Sequence, residues 1–78
     1  MFYVLSHYFP RSKTIDIELS DGLTAEEKYL IKTYKQPFLL GQHDLWIDEA
    51  PDFDSAFKIA KLKIKEMEDY YKGYESVY

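Results

Sequence analysis

From Asp52 to Lys72 the chain reads D-F-D-S-A-F-K-I-A-K-L-K-I-K-E-M-E-D-Y-Y-K, the longest periodic stretch it contains. At about 100° per residue, Phe53, Ala56, Phe57, Ala60, Ile64, Met67, Tyr71 and Tyr74 fall on one arc, which predicts an amphipathic helix with a core-facing stripe. Asp52 is placed as its N-cap, because a carboxylate there can accept a first-turn amide that has no helical partner. Pro51 blocks extension backwards, Asp54 suits the positive end of the helix dipole, and Gly73 is the expected stop. Ile59 and Leu62 lie outside the arc, with Tyr70 near Ile59 on its flank. They are expected to pack under a second element, or else to meet a second copy of the chain in a homodimer.

A helix this amphipathic needs a partner layer, and the N-terminal half supplies one. Phe2 to Phe9 is β-branched and aromatic and apolar on both faces, as in an inner strand. Thr14 to Leu19 alternates strictly, with Ile15, Ile17 and Leu19 on one side and Thr14, Asp16 and Glu18 on the other, so the two stretches are expected to form a hairpin. Thr24-Ala25-Glu26-Glu27 is a capping box that opens a short helix running to about Lys35, halted by Pro37. Its apolar face would be Leu30, Ile31 and Tyr34. Phe38–Leu40 and Leu45–Ile47 flank Gly41-Gln42-His43-Asp44 and read as one or two further strands. Trp46 is expected to fill the junction between sheet and long helix, with an interface anchor as the alternative. The fold class is α+β: a single domain over residues 1–78, in which a small antiparallel sheet packs against a long C-terminal helix and the helices lie largely on one face.

Composition narrows the function classes. Seventy-eight residues, 46% hydrophobic and with no cysteine, leave neither disulfides nor cysteine-bound zinc to hold the fold. No run approaches the roughly 18 apolar residues of a membrane span, and no secretory signal pattern opens the chain, so a soluble cytoplasmic protein is expected. His7 and His43 have no paired spacing, the serines lack a nucleophile-elbow context, the three glycines are isolated, and the acidic run lacks EF-hand register. No enzyme, metal site or cofactor is expected.

The net charge of −4 sits in the second half, where five bases face nine acids. Asp44, Asp48, Glu49, Asp52 and Asp54 form an acidic run. Farther on, Glu68, Asp69, Tyr70, Tyr74 and Tyr78 make the C-terminus acidic and tyrosine-rich. These ten residues are the candidate contact surface for a protein partner with a basic face. Nucleic acid is disfavoured by the acidity and by a single arginine, Arg11, against nine lysines. The alternative function is a nucleic-acid-binding regulatory domain that would use the lysine stripe Lys58, Lys61, Lys65 and Lys72 with Arg11 and Lys13.

In size, in its lysine-to-arginine ratio, in its abundance of Ile, Tyr, Phe, Asp and Glu, and in a β-rich start closed by a D-F-D-S-A-F helix, the chain resembles small accessory proteins of bacteriophages and mobile elements. That resemblance implies an inhibitor of the host-takeover or anti-CRISPR type, one that binds and blocks a host or defence protein without catalysis.

Overall fold

The computed structural model describes residues 1–75, with side chains through residue 73. Four strands and two helices follow in the order β1 (Phe2–Phe9), β2 (Thr14–Ser20), α1 (Ala25–Thr33), β3 (Phe38–Leu39), β4 (Asp44–Ala50) and α2 (Phe53–Glu75). The strands form one antiparallel sheet in the order β2-β1-β4-β3. The α+β reading therefore holds, with β1 an inner strand. The second hairpin differs in its proportions. β4 runs seven residues, to the proline that ends it, whereas β3 has two. Past β3 the carboxamide of Gln36 takes over the pairing: its Nε2 donates to the Ile47 carbonyl at 2.8 Å and its Oε1 accepts from the Ile47 amide at 3.1 Å.

Both faces of the sheet are covered. On one, Val4, Ala50 and Ala56 and, farther along, Tyr8, Met67 and Tyr71 form the core beneath α2, with Ile15, Ile17 and Leu19 half-buried beside them. On the other, Leu5, Phe38, Leu45 and Ile47 pack with Leu23 and Leu30 of the α1 region. Each large aliphatic side chain buried there contributes about 1.5–3 kcal/mol. The helices thus lie on opposite faces, correcting the one-sided arrangement expected: a strand apolar on both sides needs cover on both. α1 opens at the expected capping box, with Thr24 Oγ1 accepting from the Glu27 amide and Glu27 Oε1 from the Thr24 amide. It stops at Thr33, and only Leu30 of its expected apolar face is half-buried; Ile31 and Tyr34 are exposed.

α2 is capped as expected. Asp52 Oδ1 accepts from the Ser55 amide at 2.7 Å, and this bond holds its carboxyl below the usual value of 3.8. Gly73 is not the stop, since the helix continues to Glu75. Glycine permits the left-handed turn without imposing it. The buried stripe is also rotated from the expected arc. Ala56, Lys63, Met67 and Tyr71 are buried, with Ile59 and Ala60 half-buried, while Phe53, Phe57 and Ile64 are exposed. Small side chains at Ala56 and Ala60 let the helix axis come close to the sheet there, so the helix rolls onto them and the bulkier phenylalanines overhang the flank. Ile59 packs within the protein, as expected. Leu62 does not: it is 72% exposed. No described helix is long and apolar enough to cross a membrane.

Candidate protein-binding surface

β1 and β4 run side by side beneath α2, with Val4 opposite Asp48, Ser6 opposite Trp46 and Tyr8 opposite Asp44. Strand alternation points Asp44, Trp46 and Asp48 towards the helix and Glu49 to the far side. The acidic run is therefore divided between the two faces and is not one surface.

Trp46 is the hub of what lies between β4 and the helix. Its Nε1 donates to the Tyr71 hydroxyl at 3.0 Å, and that hydroxyl donates to Asp44 Oδ2 at 2.8 Å. The Tyr71 ring stacks on Tyr8 with centroids 3.6 Å apart. Burial, first of all, pushes the Tyr71 phenol well above the usual tyrosine value, and the neighbouring Asp44 carboxylate adds to the shift. Tyr70 meets Trp46 edge-on at 5.1 Å.

The other face of the indole is covered by a cation. Lys63 Nζ stands 4.3 Å from the Trp46 ring centroid, 3.5 Å from Asp48 Oδ2 and 3.6 Å from Glu66 Oε1. The lysine side chain is only 6% exposed, against 30% for Asp48 and 62% for Glu66. The Asp48 contact is an ion pair without an aligned hydrogen bond. Nearby Ser6 is fully buried, and its hydroxyl has no hydrogen-bond partner among the described residues.

Outside this buried cluster, Leu62, Glu66 and Asp69 fall at i, i+4 and i+7 on α2, forming one stripe beside Tyr70. The flank towards β4 thus presents Trp46, Tyr70 and Leu62 among Asp44, Asp48, Glu66 and Asp69. Towards β4, Asp44, Asp48 and Glu66 stand around one enclosed and paired ammonium, that of Lys63; towards the outer side of α2, Leu62 and Asp69 border the exposed Lys58 and Lys65. Aromatic and aliphatic side chains ringed by polar groups are the usual composition of protein interfaces.

Of the ten residues singled out from the sequence, Asp44, Asp48, Asp69 and Tyr70 come together here. Glu49 lies on the opposite face, Asp52 is spent on the helix cap, Asp54 is in the first turn, and Glu68 is on the other side of the helix from Leu62. The side chain of Tyr74 and all of Tyr78 lie outside the described residues. Sequence reasoning missed Lys63, Glu66 and Leu62 as parts of this flank. The signal was the four-residue spacing Ile59–Lys63–Met67, which sets a lysine within the buried stripe.

Two further groupings were not foreseen. His7 and His43, far apart in sequence, stand with ring centroids 5.2 Å apart and share contact with Phe9. Among the described residues, however, no three His, Asp or Glu side chains are placed to hold a metal ion. An open cleft between α1 and β3 is lined by Glu26, Tyr29, Tyr34, Lys35, Pro37 and Leu39. The lysines of the alternative reading, Lys58, Lys61, Lys65 and Lys72, are all exposed on the outer side of α2, with Asp54, Glu68 and Asp69 interspersed. Comparison with protein-family models, with curated proteins and with solved structures finds no match for this chain.

Proposed function

We propose that this protein is a non-enzymatic binder that inhibits or modulates a protein partner, docking a basic surface of that partner on the α2–β4 flank. One observation carries the reading: Trp46, Tyr70 and the exposed Leu62 stand with the carboxylates of Asp44, Asp48, Glu66 and Asp69, and on the β4 side of that group the ammonium among the described residues, Lys63, is buried and already paired. Apolar side chains supply the contact energy, while the acidic rim speeds and orients encounter with a positively charged protein. Such a mode of action agrees with the phage-type inhibitors that the chain resembles.

The test is retention of a protein from lysate of the source or host cell on immobilised protein, across a salt series. Retention is expected at low salt and should weaken as salt rises. Leu62→Glu and Asp69→Lys alter exposed side chains, and Glu66→Gln removes a rim charge without setting a second cation beside Lys63; combining the three should abolish it. Undiminished retention by the triple variant would remove this surface from consideration. A gel shift with duplex and single-stranded DNA covers the alternative: binding that falls with salt and is lost on Lys58→Glu/Lys65→Glu would assign function to the lysine stripe instead.

A further inference from the structure

A second surface, independent of the flank just described, lies along the free rim of the sheet. The direction of each backbone group there follows from β4. Gln36 bonds both backbone groups of Ile47 from the side away from β1. In an antiparallel ladder alternate residues point opposite ways, so Trp46 and Asp48 direct theirs at β1. Ser6, opposite Trp46, therefore points at β4, and Leu5 and His7 point at β2. Their partners Glu18 and Asp16 point back at β1. This leaves the N–H and C=O groups of Ile15, Ile17 and Leu19 directed outwards, where no described strand pairs with them.

The side chains alternate in step. Ile15, Ile17 and Leu19 face α2 and are half-buried, whereas Asp16 and Glu18 are exposed on the other face. Because Lys63 and Tyr70 lean over β4, helical geometry turns Phe57 and Ile64 to the β2 side of α2. These two are 48% and 43% exposed. The Lys61 ammonium, 4.7 Å from the Phe57 ring centroid, marks the upper limit of this apolar band. Exposed apolar side chains of α2 thus stand on the β2 side of the sheet, while the opposite face of that strand is acidic.

We propose that β2 accepts one added strand from a partner protein in which apolar and basic residues alternate. Its backbone would pair with Ile15, Ile17 and Leu19, its apolar side chains would lie beside them under Phe57 and Ile64, and its basic side chains would stand opposite Asp16 and Glu18. Charge decides against a second copy of this chain. Antiparallel self-pairing centred on Ile17 sets Asp16 opposite Glu18 twice, centring on Asp16 or Glu18 sets that acid opposite itself, and centring on Ile15 or Leu19 leaves only three residues of each strand paired.

The experiment is an amide-resolved NMR titration of the intact protein at low salt with two end-capped heptapeptides, one alternating lysine and valine and one alternating glutamate and valine. The lysine peptide is expected to shift the amides of Ile15, Ile17 and Leu19 and to slow their exchange at least tenfold, with the glutamate peptide at least tenfold weaker. Asp16→Lys/Glu18→Lys, both at exposed positions, should reverse that order, and the single Glu18→Lys variant should narrow it. The Leu62→Glu/Glu66→Gln/Asp69→Lys protein should bind the lysine peptide unchanged, which separates this proposal from the α2–β4 surface. The proposal is overturned by equal response to both peptides or by shifts confined to the Glu66–Asp69 flank. It is equally overturned by protection of the β2 amides through concentration-dependent self-association, which would make a second copy the occupant.

Discussion

Lys63 and Asp48 should respond unequally to substitution, and the inequality can be worked out from their surroundings. An ammonium 3.5 Å from a carboxylate gains about 5 kcal/mol at an effective dielectric near 20. Asp48→Ala removes that attraction but leaves Glu66 at 3.6 Å and Trp46 in place, and the carboxylate lost was already 30% exposed. Screening and the remaining partners reduce the net cost to about 1–3 kcal/mol, because the enclosed charge stays behind with less to compensate it. Lys63→Met removes the enclosed charge itself. The new side chain keeps the apolar stem against the indole, and Asp48 turns to water, so the cost should stay below about 1 kcal/mol. The double variant should then lie near the wild type and well above Asp48→Ala. Thermal unfolding followed by the fluorescence of Trp46, the one tryptophan, reads the difference at the site itself. For a domain of this size each kcal/mol moves Tm by about 4–8 °C, so Asp48→Ala should melt measurably lower than Lys63→Met. Equal destabilisation by Lys63→Met and Asp48→Ala would refute this, since the ammonium would then be a net stabiliser.

Three further perturbations follow from the same geometry. Ser6→Ala removes a fully buried hydroxyl that has no described partner, so urea unfolding should show a protein as stable as the wild type or up to about 1 kcal/mol more so. Tyr71→Phe strands the Trp46 N–H and the Asp44 carboxylate, and calorimetry should record a loss of about 1–3 kcal/mol. The Tyr71 phenol has its pKa raised in the folded state, so its contribution is whole below the ordinary value of 10.0 and is lost as pH rises above it; melting curves should converge for wild type and Tyr71→Phe at alkaline pH. Asp52 has its pKa lowered, so its cap is at full strength above 3.8 and fades as pH falls through the folded value; between pH 5 and 2 Tm should drop more for wild type than for Asp52→Asn.

What could be read from residues alone was whatever short-range chemistry decides. The Thr24–Glu27 box, the Asp52 cap and the alternation of Ile15, Ile17 and Leu19 depend on neighbours within a few positions, and each stands as expected. The face of α2 that would be buried was not of this kind. Hydropathy favours Phe57 and Ile64, but the close approach allowed by Ala56 and Ala60 depends on the shape of the opposing sheet, and it drew in Lys63. The acidic run was misjudged for a related reason. Once the strand extends through Asp48 and Glu49, adjacent acids must diverge, and its length was visible only when β1 lay beside it. The pairing of His7 with His43 likewise needed β4 to lie against β1 before it existed.

Gln36 has a consequence for how this sheet behaves in company. By occupying both backbone groups of Ile47, a single carboxamide interrupts the rim beside the two-residue β3, while the rim formed by β2 offers Ile15, Ile17 and Leu19 in a row. A sheet with one long border and one broken border pairs unequally at its two sides: a strand that joins at β2 finds no border of matching length on the far side. Stacking into a fibre needs two such borders per subunit, and among the described residues β2 supplies one of that length.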